Sequence, residues 1–420
     1  MALIILLLWG LLSSVQIFRS ALDERGGNDL YTYWYAGLHI RQGTDPYRAF
    51  LNGTAPTLPI RFLDGVATDK DQVVRPDLQP APGLTYPLIF LLTPFSWLSF
   101  QYAKIGWFIL LMLMNLLIPW LLIRATFEQH DRSKLGYLVL LAIFMGFSST
   151  RYASISGQPS ILVIALMLLC WIWAKERPAL AGLLLGIALS KYSLALGFWF
   201  YFTLFEWRPK LSLTAAGVQI LGLVGLAWLG DGTVFQAIDG YIQLFLHHAP
   251  MEGIQLTSLL PGIDAYSPTL ALGLTLLISI PLFVLRRRTL HDQEPLESNS
   301  MRRAILLTIL TFWSLMVAYH RAYDLQVFII TIGSILLIWQ QTNLTKWDKR
   351  VFVVSGIYTA FSILVLSLPA GGLLRTWLPA ELGPLWIRGI LRASTWVILI
   401  GTGLAIALLF QLTPRNQPVQ

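Results

Sequence analysis

Asp29 and Asp45 lie in a long segment near the start of the chain, and Arg151, Lys191, His320 and Arg321 lie beside or between apolar runs. These six residues are the ones whose types could do chemistry. Holding one such side chain near the centre of a bilayer costs ~3 kcal/mol or more, so ionisable groups kept there usually line an aqueous cavity and serve a bound ligand. The cations suit an anionic group such as a phosphate, and the carboxylates suit general-base work.

The rest of the chain is built for lipid. Of 420 residues, 55% are hydrophobic and 12% charged, about half the ~25% charged content of soluble proteins. The mean hydropathy is +0.63. The sequence therefore predicts an all-α, polytopic integral membrane protein. Its net charge of +8 is spread between apolar runs, which sets membrane orientation and argues against nucleic-acid binding. The lone Cys170 excludes an intrachain disulfide. Residues 1–18 lack a basic n-region and read as an uncleaved first helix.

Crossings take ~20 apolar residues each. Long candidates are 105–123, 211–230, 269–285, 351–369 and 393–412; shorter ones are 135–148, 159–174, 179–190, 192–205, 304–318 and 325–340. With the first helix this predicts about twelve transmembrane helices (range about 11–13). The stretch 179–205 is too long for one ordinary span, so it is expected to form a tight out-and-back hairpin with Lys191 near its tip. Residues 86–100 contain two prolines and are expected to lie interfacially or re-enter. The division expected is an N-terminal module 1–230 carrying a long outer loop 19–85, an outer loop 231–266, and a C-terminal module 267–420 with a cytoplasmic linker 286–303.

Arg124, Arg132 and Lys134, then Lys175 and Arg177, then Arg208 and Lys210, then Arg286–Arg288 with Arg302 and Arg303 fall on one face. The 230–266 loop on the other face has neither Lys nor Arg. The positive-inside rule puts the basic loops and both termini in the cytoplasm. All six candidate residues then face outward.

Each candidate has a bland alternative. Asp29 is a general base, or a loop Asp or N-cap for an amphipathic 30–41 stretch. Asp45, in Gly-Thr-Asp-Pro-Tyr, binds substrate or simply makes the turn. Lys191 contacts a phosphate or snorkels to the interface. Arg151 does the same or caps a helix C-terminus. His320 and Arg321 contact a phosphate, or Arg321 pairs with Asp324. Gln158 before Pro159 opens a helix or hydrogen-bonds sugar or phosphate. His247-His248 with Glu252 gives no metal-ligand spacing, so no metal is expected. No Gly-rich nucleotide fingerprint follows a strand.

An ordered set of motifs resembles the family 87 glycosyltransferases of the GT-C superfamily. It comprises Asp29-Leu30-x-x-Tyr33, Gly43-x-Asp45-Pro46-Tyr47, Tyr86-Pro87, Gly157-Gln158, and Ala181-Gly182-Leu183 leading to Lys191. Leu88 stands where the family often has a second Pro. The C-terminal half matches only in hydropathy and in its His-Arg-Ala-Tyr-Asp turn. Members include polyprenyl-phosphate-dependent mannosyltransferases and arabinofuranosyltransferases. The resemblance implies a GT-C-type fold and an enzyme of a bacterial plasma membrane. It would move a hexose such as mannose, or a pentose, from a polyprenyl-phosphate donor to an outer-face lipid or glycan hydroxyl, by inverting displacement and without a cofactor. Asp29 would be the base; Tyr33, Asp45, Gln158 and Asp324 would bind substrate; Lys191, Arg151, His320 and Arg321 would hold the donor phosphate. Its partners would be membrane lipids, donor and acceptor. The rival classes are a secondary transporter or lipid flippase, and another GT-C-like ligase or polymerase.

Overall fold

A computed structural model of the chain describes residues 2–22, 26–52, 83–126, 134–229, 232–248, 268–291, 300–317, 322–333, 398 and 400–407. Among these residues the structure is helical and contains no strand. The elements are α1 (Ala2–Leu22), α2 (Asn28–Arg41), α3 (Pro46–Leu51), α4 (Tyr86–Leu92), α5 (Phe100–Thr126), α6 (Lys134–Gly146), α7 (Ser148–Ser156) and α8 (Ser160–Trp173). They continue with α9 (Pro178–Ala188), α10 (Tyr192–Phe200), α11 (Pro209–Leu229), α12 (Val234–His248), α13 (Pro268–His291) and α14 (Ser300–Val317). Short 3₁₀ turns cover Thr93–Trp97, Leu189–Lys191 and Ala322–Phe328.

Apolar side chains face outward as well as inward. Ile109, Leu113, Leu116 and Trp120 form an exposed stripe along α5. Leu213, Ile220, Leu221, Val224 and Trp228 do so on α11, and Leu276, Leu277, Ile280 and Phe283 on α13. In water such continuous apolar faces would be covered; here they are the surface that meets acyl chains. Small residues let the backbones close up on the inside. A Cβ at Gly182 would run into the Leu211 carbonyl oxygen, and one at Gly186 would sit 2.6 Å from Val218 Cβ. That Gly-x-x-x-Gly face seats α9 on α11.

Residues 178–205 are continuously helical and pass, by length and composition, as one span of 28 residues. Their neighbours show that they fold back instead. Gly182 abuts Leu211, while Thr203 donates to Ser212 Oγ (3.0 Å) and Trp199 Nε1 to the Ser212 carbonyl (3.2 Å). In a straight helix residues 182 and 203 would be ~30 Å apart. The reversal falls at Lys191, whose φ of −110° and ψ of 68° leave the helical region. The structure thus forms the expected hairpin. The α5 and α11 helices also qualify as spans, and α6 and α7, bent by 65°, make a fourth if counted together. Residues 334–397 lie outside the described residues, so the expected count of about twelve is not decided.

The α4 helix and the following 3₁₀ turn break the 86–100 stretch into two short pieces that pack on α2 and α11, as its prolines suggest. The 231–266 segment is not all loop, since it contains α12. The expected linker 286–303 is also shorter: α13 continues to His291 and α14 begins at Ser300.

The bundle has two chemically different ends. At one end lie the exposed side chains of Arg124, Lys134, Lys175, Arg177 and Lys210. Arg208 ties this end together by donating to the Ala174 carbonyl (3.2 Å). The other end gathers the start of α2, the start of α4, the α7–α8 turn, the hairpin tip and the 322–328 turn.

Candidate functional site

The site is built around three turns. At the first, Gly157 ends α7 with a φ of 76°, a left-handed conformation that glycine adopts without strain. The Gln158 amide then bonds back to the Ala153 carbonyl (2.8 Å). A Cβ at Gly157 would lie 2.7 Å from Leu30 Cβ, so a side chain here would push α2 away. Trp107 of α5 clamps the same turn by donating Nε1 to the Gly157 carbonyl (2.8 Å).

At the hairpin tip, the Ser190 carbonyl accepts from Thr85 N (3.0 Å), and its hydroxyl accepts from Leu88 N (3.0 Å). The Tyr86-Pro87 motif is thereby pinned to the residue preceding Lys191. Pro87 itself packs on Gly222 of α11, where a Cβ would come within 2.9 Å of its ring.

The third turn, 322–328, packs against α7 and completes the constellation. Lys191 Nζ lies 2.9 Å from Asp324 Oδ1 and donates to Gln158 Oε1 at 3.4 Å. All three residues are at least nine-tenths buried. From Arg177 to Lys191 this leg of the hairpin rises only ~20 Å, less than the ~30 Å of a bilayer's hydrocarbon core. A charge so placed is tolerated because it is paired.

Asp29 stands beside this cluster without being its cap. The N-cap of α2 is Gly27, whose N–H bonds to the Ile155 carbonyl (2.8 Å). Asp29 is the acidic residue of the first turn, half-buried, and its neighbour Leu30 rests on Gly157. The N-cap alternative for Asp29 is thereby removed. Gln158, Lys191 and Asp324 are thus gathered at one place from three separate stretches of sequence, and a fourth, the first turn of α2 with Asp29, packs on the Gly157–Gln158 turn.

Three other candidates are engaged elsewhere. Asp45 caps α3, accepting from Tyr47 N (2.8 Å) and Arg48 N (3.4 Å), with Arg48 Nε 3.9 Å from its other oxygen. Burial raises its carboxyl pKa, against the pull of those two amides and Arg48. Tyr33 is buried in α2 near Tyr47, where Tyr47, Tyr86 and Tyr241 form a cluster with centroids 5.1–6.1 Å apart. Tyr47 donates to the Leu84 carbonyl and Tyr86 to that of Ala237 (2.7 Å). Arg151 donates to Gln16 of α1 (2.8 Å). His320 and Arg321 lie outside the described residues.

Sequence reasoning passed over two buried polar residues. Lys104 of α5 is completely buried beneath Gly27. Gln326 is also fully buried, and neither end of its amide has a hydrogen-bond partner among the described residues. The signal for Lys104 was a lysine at the head of a 27-residue apolar helix; for Gln326 there was none beyond its nearness to Asp324. Among the described residues no group of His, Cys, Asp or Glu is placed to hold a metal ion. The chain also carries an Asp-x-Asp pattern, Asp69-Lys70-Asp71, which the motif reading overlooked and which lies outside the described residues.

The profile of glycosyltransferase family 87 matches residues 84–339, more than half of the chain. The match takes in Gln158, Lys191 and Asp324 and begins after Asp29, Tyr33 and Asp45. No curated protein and no solved structure matches the chain.

Proposed function

Because the chain belongs to glycosyltransferase family 87 and is a membrane glycosyltransferase, we propose that it moves a sugar from a polyprenyl-phosphate donor to a lipid or glycan hydroxyl on the outer face. The observation that carries this reading is the buried Gln158–Lys191–Asp324 constellation beside the Asp29 turn. It offers a cation at membrane depth, where the phosphate of a lipid-borne donor resides, and a carboxylate at its edge. Opposite the basic end of the bundle, it falls on the outward side by the positive-inside rule.

In this reading the acceptor oxygen attacks the anomeric carbon from the face opposite the phosphate. The carbon–oxygen bond to the phosphate breaks, the acceptor's proton passes to Asp29, and the configuration inverts. The departing phosphate gains negative charge as that bond breaks, and Lys191 stabilises it. The phosphate competes with Asp324 for the ammonium, so Asp324 holds the Lys191 side chain in place until donor arrives. Gln158 and Gln326 supply amide donors and acceptors for sugar hydroxyls. Transport fits less well, because family membership implies transfer.

The test is product formation by the purified chain with a panel of polyprenyl-phosphate sugars. Asp29→Asn keeps the shape of the side chain but cannot take a proton, and loss of general-base help costs ~10²–10⁴ in rate. Donor binding should survive. Near-normal product from Asp29→Asn would remove Asp29 as the base. Labelling of intact cells should modify Thr233→Cys and spare Lys210→Cys; the reverse would place the site in the cytoplasm.

A further inference from the structure

We propose that Lys104 is a positioning residue whose buried ammonium pairs with Asp29 and fixes that carboxylate at the head of α2. The argument starts from burial. Lys104 is 0% exposed, near the start of a 27-residue apolar helix, where an ammonium needs an anionic or strongly accepting partner. Its stem runs under the N-cap of α2: a Cβ on Gly27 would lie 2.9 Å from Lys104 Cδ and 3.2 Å from its Cγ. The ammonium, two bonds beyond Cδ, is therefore within reach of the first turn of α2.

That position is electrostatically demanding. The N-terminal end of a helix carries partial positive charge from its unsatisfied amides. An ammonium beside it is repelled unless a carboxylate lies between them. Asp29 is the acidic residue of that turn. One turn further along α5, Trp107 holds the Gly157 carbonyl, so the helix that carries Lys104 also clamps the turn that presents Gln158. Two buried lysines then serve two carboxylates in the same site: Lys191 with Asp324, and Lys104 with Asp29.

The catalytic part of this inference rests on Asp29 being the base; the pairing itself does not. A double-mutant cycle separates them. Thermal unfolding would be measured on the full chain in lipid nanodiscs for wild type, Lys104→Met, Asp29→Asn and the double variant. Each single change should lower Tm by leaving the other member of the pair without its partner, and the double variant should lose less than the two losses combined. Additive losses would overturn the pairing.

Kinetics supplies the second readout. Lys104→Met should lower kcat by about 10²-fold, as a misplaced base does, with the donor KM little changed. Lys104→Arg, which keeps the charge, should recover much of that loss and stands in if Lys104→Met does not fold. A rise in donor KM with kcat intact would make Lys104 a donor ligand and overturn the positioning role. Coupled unfolding together with an active Asp29→Asn would leave the pair standing and remove the base assignment.

Discussion

The two ends of this bundle use the same residue types for opposite purposes. At the basic end, Lys175, Arg177 and Lys210 are exposed, and Arg124 lies 5.3 Å over the ring of Trp120, as interfacial anchors do. At the other end, Lys104 and Lys191 are buried, and Lys191 meets a buried carboxylate. A lysine that reaches water costs the fold little, whereas one held beneath the surface must be matched by design. The difference marks which end carries the chemistry more clearly than composition does, since both ends contain lysine.

The largest effect expected from breaking that contrast is at Lys191. Lys191→Ala should cut transfer by ~10²–10³, the usual loss when one preorganised group that stabilises developing charge is removed. Lys210→Ala and Lys175→Ala should leave activity within about twofold, since exposed anchors contribute little. Lys191→Arg should retain more activity than Lys191→Ala. Unfolding would be followed in parallel, because truncating one partner of a buried pair also destabilises, by ~3–5 kcal/mol. Equal activities for Lys191→Ala and Lys210→Ala, both folded, would erase the distinction between the ends.

A middle-sized effect is expected at Gln326, where the contrast can be sharpened. A buried amide without partners destabilises a fold, and an apolar replacement of similar shape is often neutral or stabilising. If Gln326 is kept for a sugar hydroxyl, Gln326→Leu should raise Tm while lowering kcat/KM about tenfold, the loss of ~1.4 kcal/mol that one hydrogen bond supplies. A structural role predicts the other sign for Tm. Unchanged kcat/KM would show that the residue does not meet the substrate.

The class of fold was legible because bilayer crossing imposes long apolar runs, and the hairpin was legible because Lys191 interrupts one of them. The association of Gln158, Lys191 and Asp324 was readable only as a shared side of the membrane. Its pairing was not, since a sequence gives no distance between residue 191 and residue 324, and Arg321 was the nearer candidate partner for Asp324. Lys104 was passed over because one lysine near a helix end resembles a snorkelling anchor until its burial is seen. The break of the 86–100 stretch into two short pieces follows from its two prolines, which remove amide donors.

The smallest effect separates two carboxylates that the motif reading treated alike. Asp324 faces an ammonium at the hairpin tip, whereas Asp45 spends its Oδ1 on the amides of Tyr47 and Arg48. Those bonds explain why Asp precedes Pro46: the carboxylate satisfies the free N–H groups of a six-residue helix whose first position is proline. Removing the cap with Asp45→Ala should cost about 1 kcal/mol of stability and reduce transfer only as far as the Tyr47–Tyr86 corner loosens. Asp45→Asn can still accept from both amides, so its Tm and its transfer rate should stay near wild type. The informative failure is specific. If Asp45→Asn keeps its Tm but forms no product, the charge on Asp45 is needed for the reaction, and the division between a capping carboxylate and a working one is wrong.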